Sequence, residues 1–242
     1  MNKTSRYQFT ILVPIYNEEG NIPAIEKAFE EYLPACPLKG CVLMVDDCSS
    51  DQSLAKIREV CSRHDDFFYL AHKSNCGLSA VMRTAQEYIE SEWMGYIDAD
   101  LQTDPADFSL LLEHIGEYPM VTGIRRTRED GFRKKFQSKV GNGFRRIMTG
   151  DGATDTGCPL KVIRSDVFRR MPLFEGMHRF LPALALLQEG VTYKEIQVTH
   201  RPRTAGVSKF NMWNRLRGFR DCFFYRRIRR NYLDPRILES DL

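Results

Sequence analysis

No apolar run in the 242 residues approaches the roughly 18 needed to cross a bilayer; the longest candidate spans 180–187. The N-terminus also lacks the apolar core of a signal peptide, so the expected location is the cytoplasmic side of a membrane. The seven cysteines are odd in number and none forms a Cys-x-x-Cys pair, which argues against a disulfide framework or a zinc site. There is no internal repeat, low-complexity tract or clear linker. The turns after the first two predicted strands carry no glycine fingerprint of a dinucleotide or P-loop site.

What remains is a chain of 43% hydrophobic residues, enough to bury a substantial core in one large α/β domain with an appendage. The formal net charge of +3 conceals an asymmetry. Residues 125–146 hold nine Lys/Arg against two acids, and 211–230 hold seven Arg against Asp221 alone. A solvated helical face is the ordinary reading of one such run; two in the same half point to something anionic.

Short β-branched runs at 9–13 and 40–45, each followed by a polar turn and helical periodicity from about Ile22 and Ser53, open the chain as β-α-β-α. Strands are expected at 67–71, 93–97 and 120–123, with helices near 78–91 and 105–116. Asp104-Pro105 supplies an N-cap and a first-turn proline for the second of these. The second half is less regular, with a basic helix near 132–148, a strand around 160–163, a helix near 179–187 and a strand near 191–198. The alternation predicts a largely parallel sheet covered by helices on both faces, with its ligand beyond the carboxyl ends of the strands.

Tyr96-Ile97-Asp98-Ala99-Asp100-Leu101-Gln102 closes one of those strands with two carboxylates one residue apart. At a strand end both side chains reach one face, where they suit Mg²⁺ or Mn²⁺, ions that take oxygen ligands and complete their shell with phosphate oxygens and water. The alternative is a pair of solvated turn aspartates. Carboxylates after the first two strands, in Val13-Pro14-Ile15-Tyr16-Asn17-Glu18-Glu19 and Val45-Asp46-Asp47-Cys48-Ser49-Ser50-Asp51, suit hydrogen bonds to a ribose or base edge. Together these features describe a site for a nucleotide-diphosphate donor.

Through these motifs the chain resembles the inverting glycosyltransferases of family 2, which have the GT-A fold, a Rossmann-like, mostly parallel sheet flanked by helices. Asp104-Pro105, the segment 125–134, Asp155-Thr156-Gly157 and 203–209 resemble the polyprenyl-phosphate branch, over about residues 9–210. The resemblance implies nucleotide-sugar contacts from Pro14, Tyr16, Asn17, Glu18, Asp46, Asp47, Asp98, Gln102 and Ser208. It implies metal coordination by Asp98 or Asp100 with Gln102 nearby, and phosphate contacts from Arg125, Arg203 and Lys209. Asp100 and Asp155 join those three as candidate catalytic residues. Asp155 is left between three roles: general base, metal ligand or loop anchor. His178 is left structural.

The implied reaction moves a sugar from GDP-mannose or a UDP-sugar to a dolichyl or undecaprenyl phosphate. Transfer to a glycan or protein hydroxyl and a non-catalytic nucleotide-sugar or membrane-binding module are the alternatives. Nucleic-acid binding is disfavoured because the crevice is acidic. Many members of this branch continue into two membrane helices, whereas here 211–242 reads as a basic, amphipathic helical extension to a 1–210 domain. Met212, Leu216, Phe219 and Phe223 share helical spacing among arginines, with Trp213 and Phe224 nearby, as in a helix lying on an anionic membrane surface. Packing on the main domain or on a second copy is the alternative reading, and a separate membrane subunit is a further expected partner class.

Overall fold

A computed structural model describes residues 3–125, 143–201 and 212–232, with the side chains of 212–217 excepted. Its strands are β1 (Phe9–Ile15), β2 (Gly40–Asp46), β3 (Phe67–Ala71), β4 (Trp93–Tyr96), β5 (Met120–Arg125), β6 (Lys161–Arg164) and β7 (Tyr193–Val198). Its helices are α1 (Ile22–Tyr32), α2 (Ser53–Arg63), α3 (Leu78–Tyr88), α4 (Phe108–Leu112), α5 (143–149), α6 (Ser165–Arg169), α7 (Leu181–Ala185) and α8 (Met212–Asn231).

The seven strands form one sheet in the order β3-β2-β1-β4-β6-β5-β7. Ladders β1/β2, β2/β3, β1/β4 and β5/β7 are parallel, whereas β6 runs antiparallel to both β4 and β5. The largely parallel sheet predicted from the sequence is therefore present, with one inverted strand that the pattern did not disclose. Alternation along the central strands sends Phe9, Ile11, Val13, Val42 and Met44 into a core under α1, α2 and α4. The opposite face sends Leu12, Leu43 and Val45 into a second core with α3, α6, α7 and α8. Burial on both faces explains why β1 and β2 read as nearly unbroken apolar runs.

The expected helix start at Asp104 is a one-turn 3₁₀ segment, Pro105–Asp107, running into α4, and the Asp104 carboxylate accepts from the Ala106 N–H at 3.0 Å. Within the basic helix expected near 132–148, residues 143–149 are helical; 132–142 lie outside the described residues. Helix α6 was not anticipated, being five residues long and too short to show a period.

Strand β1 turns toward β2 on one side, while β4 lies on the other, so the loops after β1 and β4 part at the carboxyl edge of the sheet. Such a switch point leaves a crevice where ligands of open α/β sheets lie. Toward the opposite end of β1 the packing is close at Gly95, where an added Cβ would sit 2.5 Å from Cζ of Phe9 and 3.1 Å from Phe108. Gly95→Ala is expected to cost about 1–3 kcal/mol through overpacking. A urea unfolding midpoint unchanged from the parent protein would show that Phe9 moves aside freely.

Candidate active site

The carboxyl edge collects the ends of β1, β2, β4 and β5. Because β6 is inverted, its first residue arrives at the same edge. Lys161 stands opposite Tyr96 of β4 and Thr122 of β5 in the two registers.

Asp46 ends β2 and is 1% exposed. Its Oδ2 accepts from the Ser49 N–H at 3.1 Å, but its buried Oδ1 has no hydrogen-bond partner among the described residues. A buried carboxylate oxygen left without a donor is costly, so this one is matched to a donor that a ligand brings, such as a ribose hydroxyl or a base N–H.

Neighbouring motif residues have other employment. Asp47 accepts from the amides of Cys76 (2.9 Å) and Gly77 (2.7 Å), and its Oδ1 lies 2.8 Å from His72 Nδ1. His72 Nε2 is in turn 2.8 Å from the Thr84 hydroxyl. These bonds place Asp47 beneath the start of α3, as a clamp on the loop after β3. Asp47, His72 and Cys76 also group closely enough to resemble a metal site, but the carboxylate is already committed to amide donors.

Asn17, at φ +51°, receives the Ser50 N–H on its side-chain oxygen at 2.7 Å, and its own N–H donates to Ser49 Oγ. The Glu18 and Glu19 amides donate to Ser53 Oγ and Asp51 Oδ2, and Glu19 Oε2 accepts from the Gln52 N–H. The loops after β1 and β2 are thus laced together. Tyr16 is exposed and Pro14 half-buried above that lacing.

Beyond β4 the chain turns tightly, with Leu101 at φ +49° and its N–H donating to the Asp98 carbonyl. Asp98 and Asp100 therefore sit in a turn rather than on an extended strand, and they come together by the reversal of the chain. Asp98 Oδ1 accepts from the Tyr96 hydroxyl at 2.6 Å, and Asp100 Oδ1 from the Gln102 N–H at 3.2 Å. Burial pushes the Asp98 carboxyl above the usual range and the Asp100 charge adds to it, while the Tyr96 hydroxyl, Lys161 and Arg125 oppose the shift. Burial and the same carboxylate push the Tyr96 phenol well above its ordinary value. Two neighbouring half-buried carboxylates fit a divalent cation, whose charge would relieve the repulsion between them. The Gln102 carbonyl accepts from the Arg201 N–H at 2.7 Å and Arg201 pairs with Asp104, so the segment entering 202–211 is fastened to this turn. Arg203, Ser208 and Lys209 themselves lie outside the described residues.

Arg125, the last residue of β5, grips Asp155 with Nε and Nη2, both at 2.7 Å, and its own N–H also reaches Oδ2 at 3.3 Å. The approach requires Gly157, where a Cβ would lie 2.9 Å from Nη2. Of the three roles left open for Asp155, this geometry fits loop anchor, since both oxygens accept from one guanidinium.

Lys161, missed in the sequence, completes the group. It is 2% exposed and its Nζ donates to the carbonyl of Cys158. Burial draws its pKa down, opposed by Cys158, Asp155 and Asp98. Lys161 thus lies within electrostatic reach of Asp98 and Asp155 and ties down the turn that carries Asp155. A lone lysine in a short apolar strand offered no signal; its position depends on the inversion of β6.

The basic run 125–146 is in part internal. Arg145 binds the buried Asp151 and the Ala153 carbonyl, each at 2.5 Å, and Arg146 reaches the same carbonyl at 2.9 Å. His178 lies with Nδ1 2.8 Å from Ser79 Oγ, and burial lowers its pKa to about 3. It is a neutral packing residue between α3 and the Met177–Phe180 turn.

The profile of the family described as glycosyl transferase family 2 matches residues 10–171, two thirds of the chain. The chain belongs to this family. Within family 2, it is 29% identical over 210 residues to a dodecaprenyl-phosphate galacturonate synthase from Rhizobium johnstonii, covering 85% of this chain and 62% of that protein. It is 31% identical over 208 residues to an undecaprenyl-phosphate 4-deoxy-4-formamido-L-arabinose transferase from Pectobacterium carotovorum, covering 84% and 62%. The chain thus spans less than two thirds of the length of these relatives. Among solved structures, it superposes on the mannosyltransferase PcManGT from Pyrobaculum calidifontis, in complex with GDP-Man and Mn²⁺, with a TM-score of 0.62 at 19% identity. That match covers 85% of this chain and 60% of that one. It also superposes on glucosyl-3-phosphoglycerate synthase from Mycobacterium tuberculosis, with Mn²⁺, UDP-glucose and phosphoglyceric acid, at a TM-score of 0.66 and 12% identity, covering 96% and 82%. The fold is GT-A.

Two consequences of the buried charges are measurable. Lys161→Met removes one cation from a buried array and leaves the Cys158 carbonyl without its donor, so unfolding free energy is expected to fall by about 3 kcal/mol, with Lys161→Arg recovering part of it. A loss below about 0.5 kcal/mol in urea denaturation would show that the charge is dispensable. His178 has a folded pKa near 3, below its unfolded value of 6.5. Its contribution is complete above pH 6.5 and is lost as the pH falls, because the unfolded chain takes up the proton first. Between pH 7 and pH 5 this amounts to about 2 kcal/mol. The pH slope of the urea midpoint should flatten in His178→Gln; an unchanged slope would place the buried titration elsewhere.

Proposed function

We propose that this chain transfers a sugar from a nucleotide-diphosphate donor to a polyprenyl phosphate, with inversion at the anomeric carbon. The observation that carries the acceptor class is the Asp155–Arg125 grip. Attack by a sugar or protein hydroxyl calls for a carboxylate base beside the acceptor, and the carboxylate nominated for that task has both oxygens held by Arg125. A phosphate monoester is ionised near neutral pH and attacks without surrendering a proton, so positioning and charge screening suffice. The relatives named for polyprenyl-phosphate substrates support the same class.

Asp46 Oδ1 takes a donor from the nucleoside, while Pro14 and Tyr16 flank it. Asp98 and Asp100, with Gln102 beside them, hold Mg²⁺ or Mn²⁺, which when bound screens the diphosphate and stabilises its charge as it leaves. Arg125 presents Nη1 toward an anion while Asp155 fixes its plane. Arg203, Ser208 and Lys209, which follow Arg201 in the chain, contact the phosphates. The acceptor oxygen displaces the nucleoside diphosphate in a single step, forming the new glycosyl–oxygen bond as the old one breaks. The site faces the cytoplasmic side, where nucleotide sugars are made.

Labelled GDP-mannose, UDP-glucose and related donors, presented with undecaprenyl or dolichyl phosphate and Mg²⁺ or Mn²⁺, are expected to yield an organic-extractable labelled lipid with at least one donor. Asp100→Ala is expected to lower that rate by two or more orders of magnitude. Label entering only water-soluble glycans would overturn the acceptor assignment.

A further inference from the structure

Helix α8 uses its two sides differently. Cys222 and Tyr225 enter the second core, and the Tyr225 hydroxyl donates to the Ala183 carbonyl at 3.0 Å. Asp221 pairs with Arg179 and packs so tightly on Gly176, at φ +83°, that no Cβ fits there. Arg229 donates to the Thr149 carbonyl at 3.0 Å, against Gly150. The helix is docked by these contacts, so whatever remains on its other side is exposed in the docked state.

What remains is aromatic and cationic. Ten large hydrophobic side chains are exposed among the described residues, and five surround α8: Ile147 (84%), Phe174 (50%), Phe219 (41%), Phe223 (61%) and Phe224 (44%). Ring contacts tie the aromatic ones into two groups. Phe144 of α5 lies 5.1 Å from Phe219 and 6.1 Å from Phe223, centroid to centroid, and Phe174 lies 6.0 Å from Phe224. Ile147, one turn beyond Phe144, extends the patch onto α5. Beside it, Phe223, Arg226, Arg227, Arg230 and Asn231 line an open concavity. Asp221, the lone acid of 211–230, is neutralised by Arg179.

We infer that the face formed by α5 and α8 is a membrane-interface surface, with Ile147, Phe219 and Phe223 entering the acyl boundary of an anionic bilayer. Arg226, Arg227 and Arg230 meet its phosphate headgroups. Contiguous exposed aromatics of this extent mark a surface that something covers, and arginines beside them fit the depth profile of a lipid interface, apolar below and anionic above. A second copy of the chain fits poorly, because a self-complementary interface would set these arginines against one another. The sequence had placed the lipid contact on α8 alone; the structure adds α5 and turns part of α8 inward. The physiological purpose of the surface rests on the lipid-phosphate acceptor reading, but its binding does not.

Flotation of the full chain with phosphatidylcholine vesicles, with and without about one quarter phosphatidylglycerol, tests the inference. Binding is expected to require the anionic lipid and to weaken with salt. The double variant Phe219→Ser with Phe223→Ser should reduce it at least tenfold, and Arg226→Gln with Arg227→Gln should erase the preference for phosphatidylglycerol. Both variants should keep the parent's urea midpoint and its turnover of a short-chain, water-soluble prenyl phosphate. Absence of flotation, or equal flotation of parent and variants, overturns the surface. A dimer in sedimentation that Phe223→Ser dissociates, without vesicle binding, reassigns the face to a second copy. Vesicle binding without turnover of any prenyl phosphate would leave the surface standing while the acceptor reading fails.

Discussion

The arrangement rests on one buried electrostatic constraint: two cations, Arg125 and Lys161, held among Asp98, Asp155 and their neighbours at the carboxyl edge of the sheet. Neither cation tolerates burial alone. Arg125 is stabilised by a bidentate carboxylate, and Lys161 by the Cys158 carbonyl and the field of Asp98 and Asp155. Both solutions depend on strand direction. In an all-parallel sheet, the first residue of β6 would lie at the far edge; inverted, it lies beside Tyr96, the last residue of β4, and Thr122 of β5. The same inversion carries the turn 155–158 under Arg125, where Gly157 admits the guanidinium. The strand that departs from the pattern is therefore the one that equips the site.

Most of the framework was legible in the sequence because parallel strands buried on both faces write themselves as apolar runs, and polar turns mark where they end. The strands expected at 9–13, 40–45, 67–71, 93–97, 120–123, 160–163 and 191–198 correspond to β1 to β7, and the proline-led start after Asp104 is there. Strand direction was not legible. Hydrophobicity reports how many faces of a strand are covered, not which way it runs, so Lys161 read as an ordinary polar residue in a short strand. Charge was misleading for a related reason. Arg145 and Arg146 belong to a run that looks anionic-ligand binding, yet they turn inward to Asp151 and Ala153, partners created by the tertiary fold.

The crevice motifs show the same division between what a residue type permits and what its partners leave over. Asn17, Glu19 and Asp47 occupy positions that read as ligand contacts or their neighbours, and each is drawn into lacing the loops after β1, β2 and β3 together. Their value to a ligand is positional: they hold Asp46, Tyr16 and Pro14 in place without touching one another's target. Asp46 is the exception in having a buried oxygen that no described neighbour satisfies. Spacing alone does not separate Asp46 from Asp47; the hydrogen-bond account does, because one carboxylate is filled and the other is half empty.

Charge balance then decides what enters. With Asp46, Asp98 and Asp100 at its rim, and with Arg125 and Lys161 tied to carboxylate and carbonyl partners, the described crevice presents an acidic surface. A bare diphosphate meets net repulsion there. On the proposed reading two additions reverse the sign: a divalent cation held by Asp98 and Asp100, and Arg203 and Lys209, which follow Arg201 in the chain. The fastening of Arg201 to Gln102 and Asp104 gives those additions a common origin, since the segment that brings Arg203 and Lys209 starts from the turn that presents the carboxylates. On the proposed reading, donor recognition is then conditional on the cation: a nucleotide arriving without one would gain the Asp46 contact but not the diphosphate site. On the same reading an acceptor phosphate meets the same field, so its approach depends on those counter-charges too.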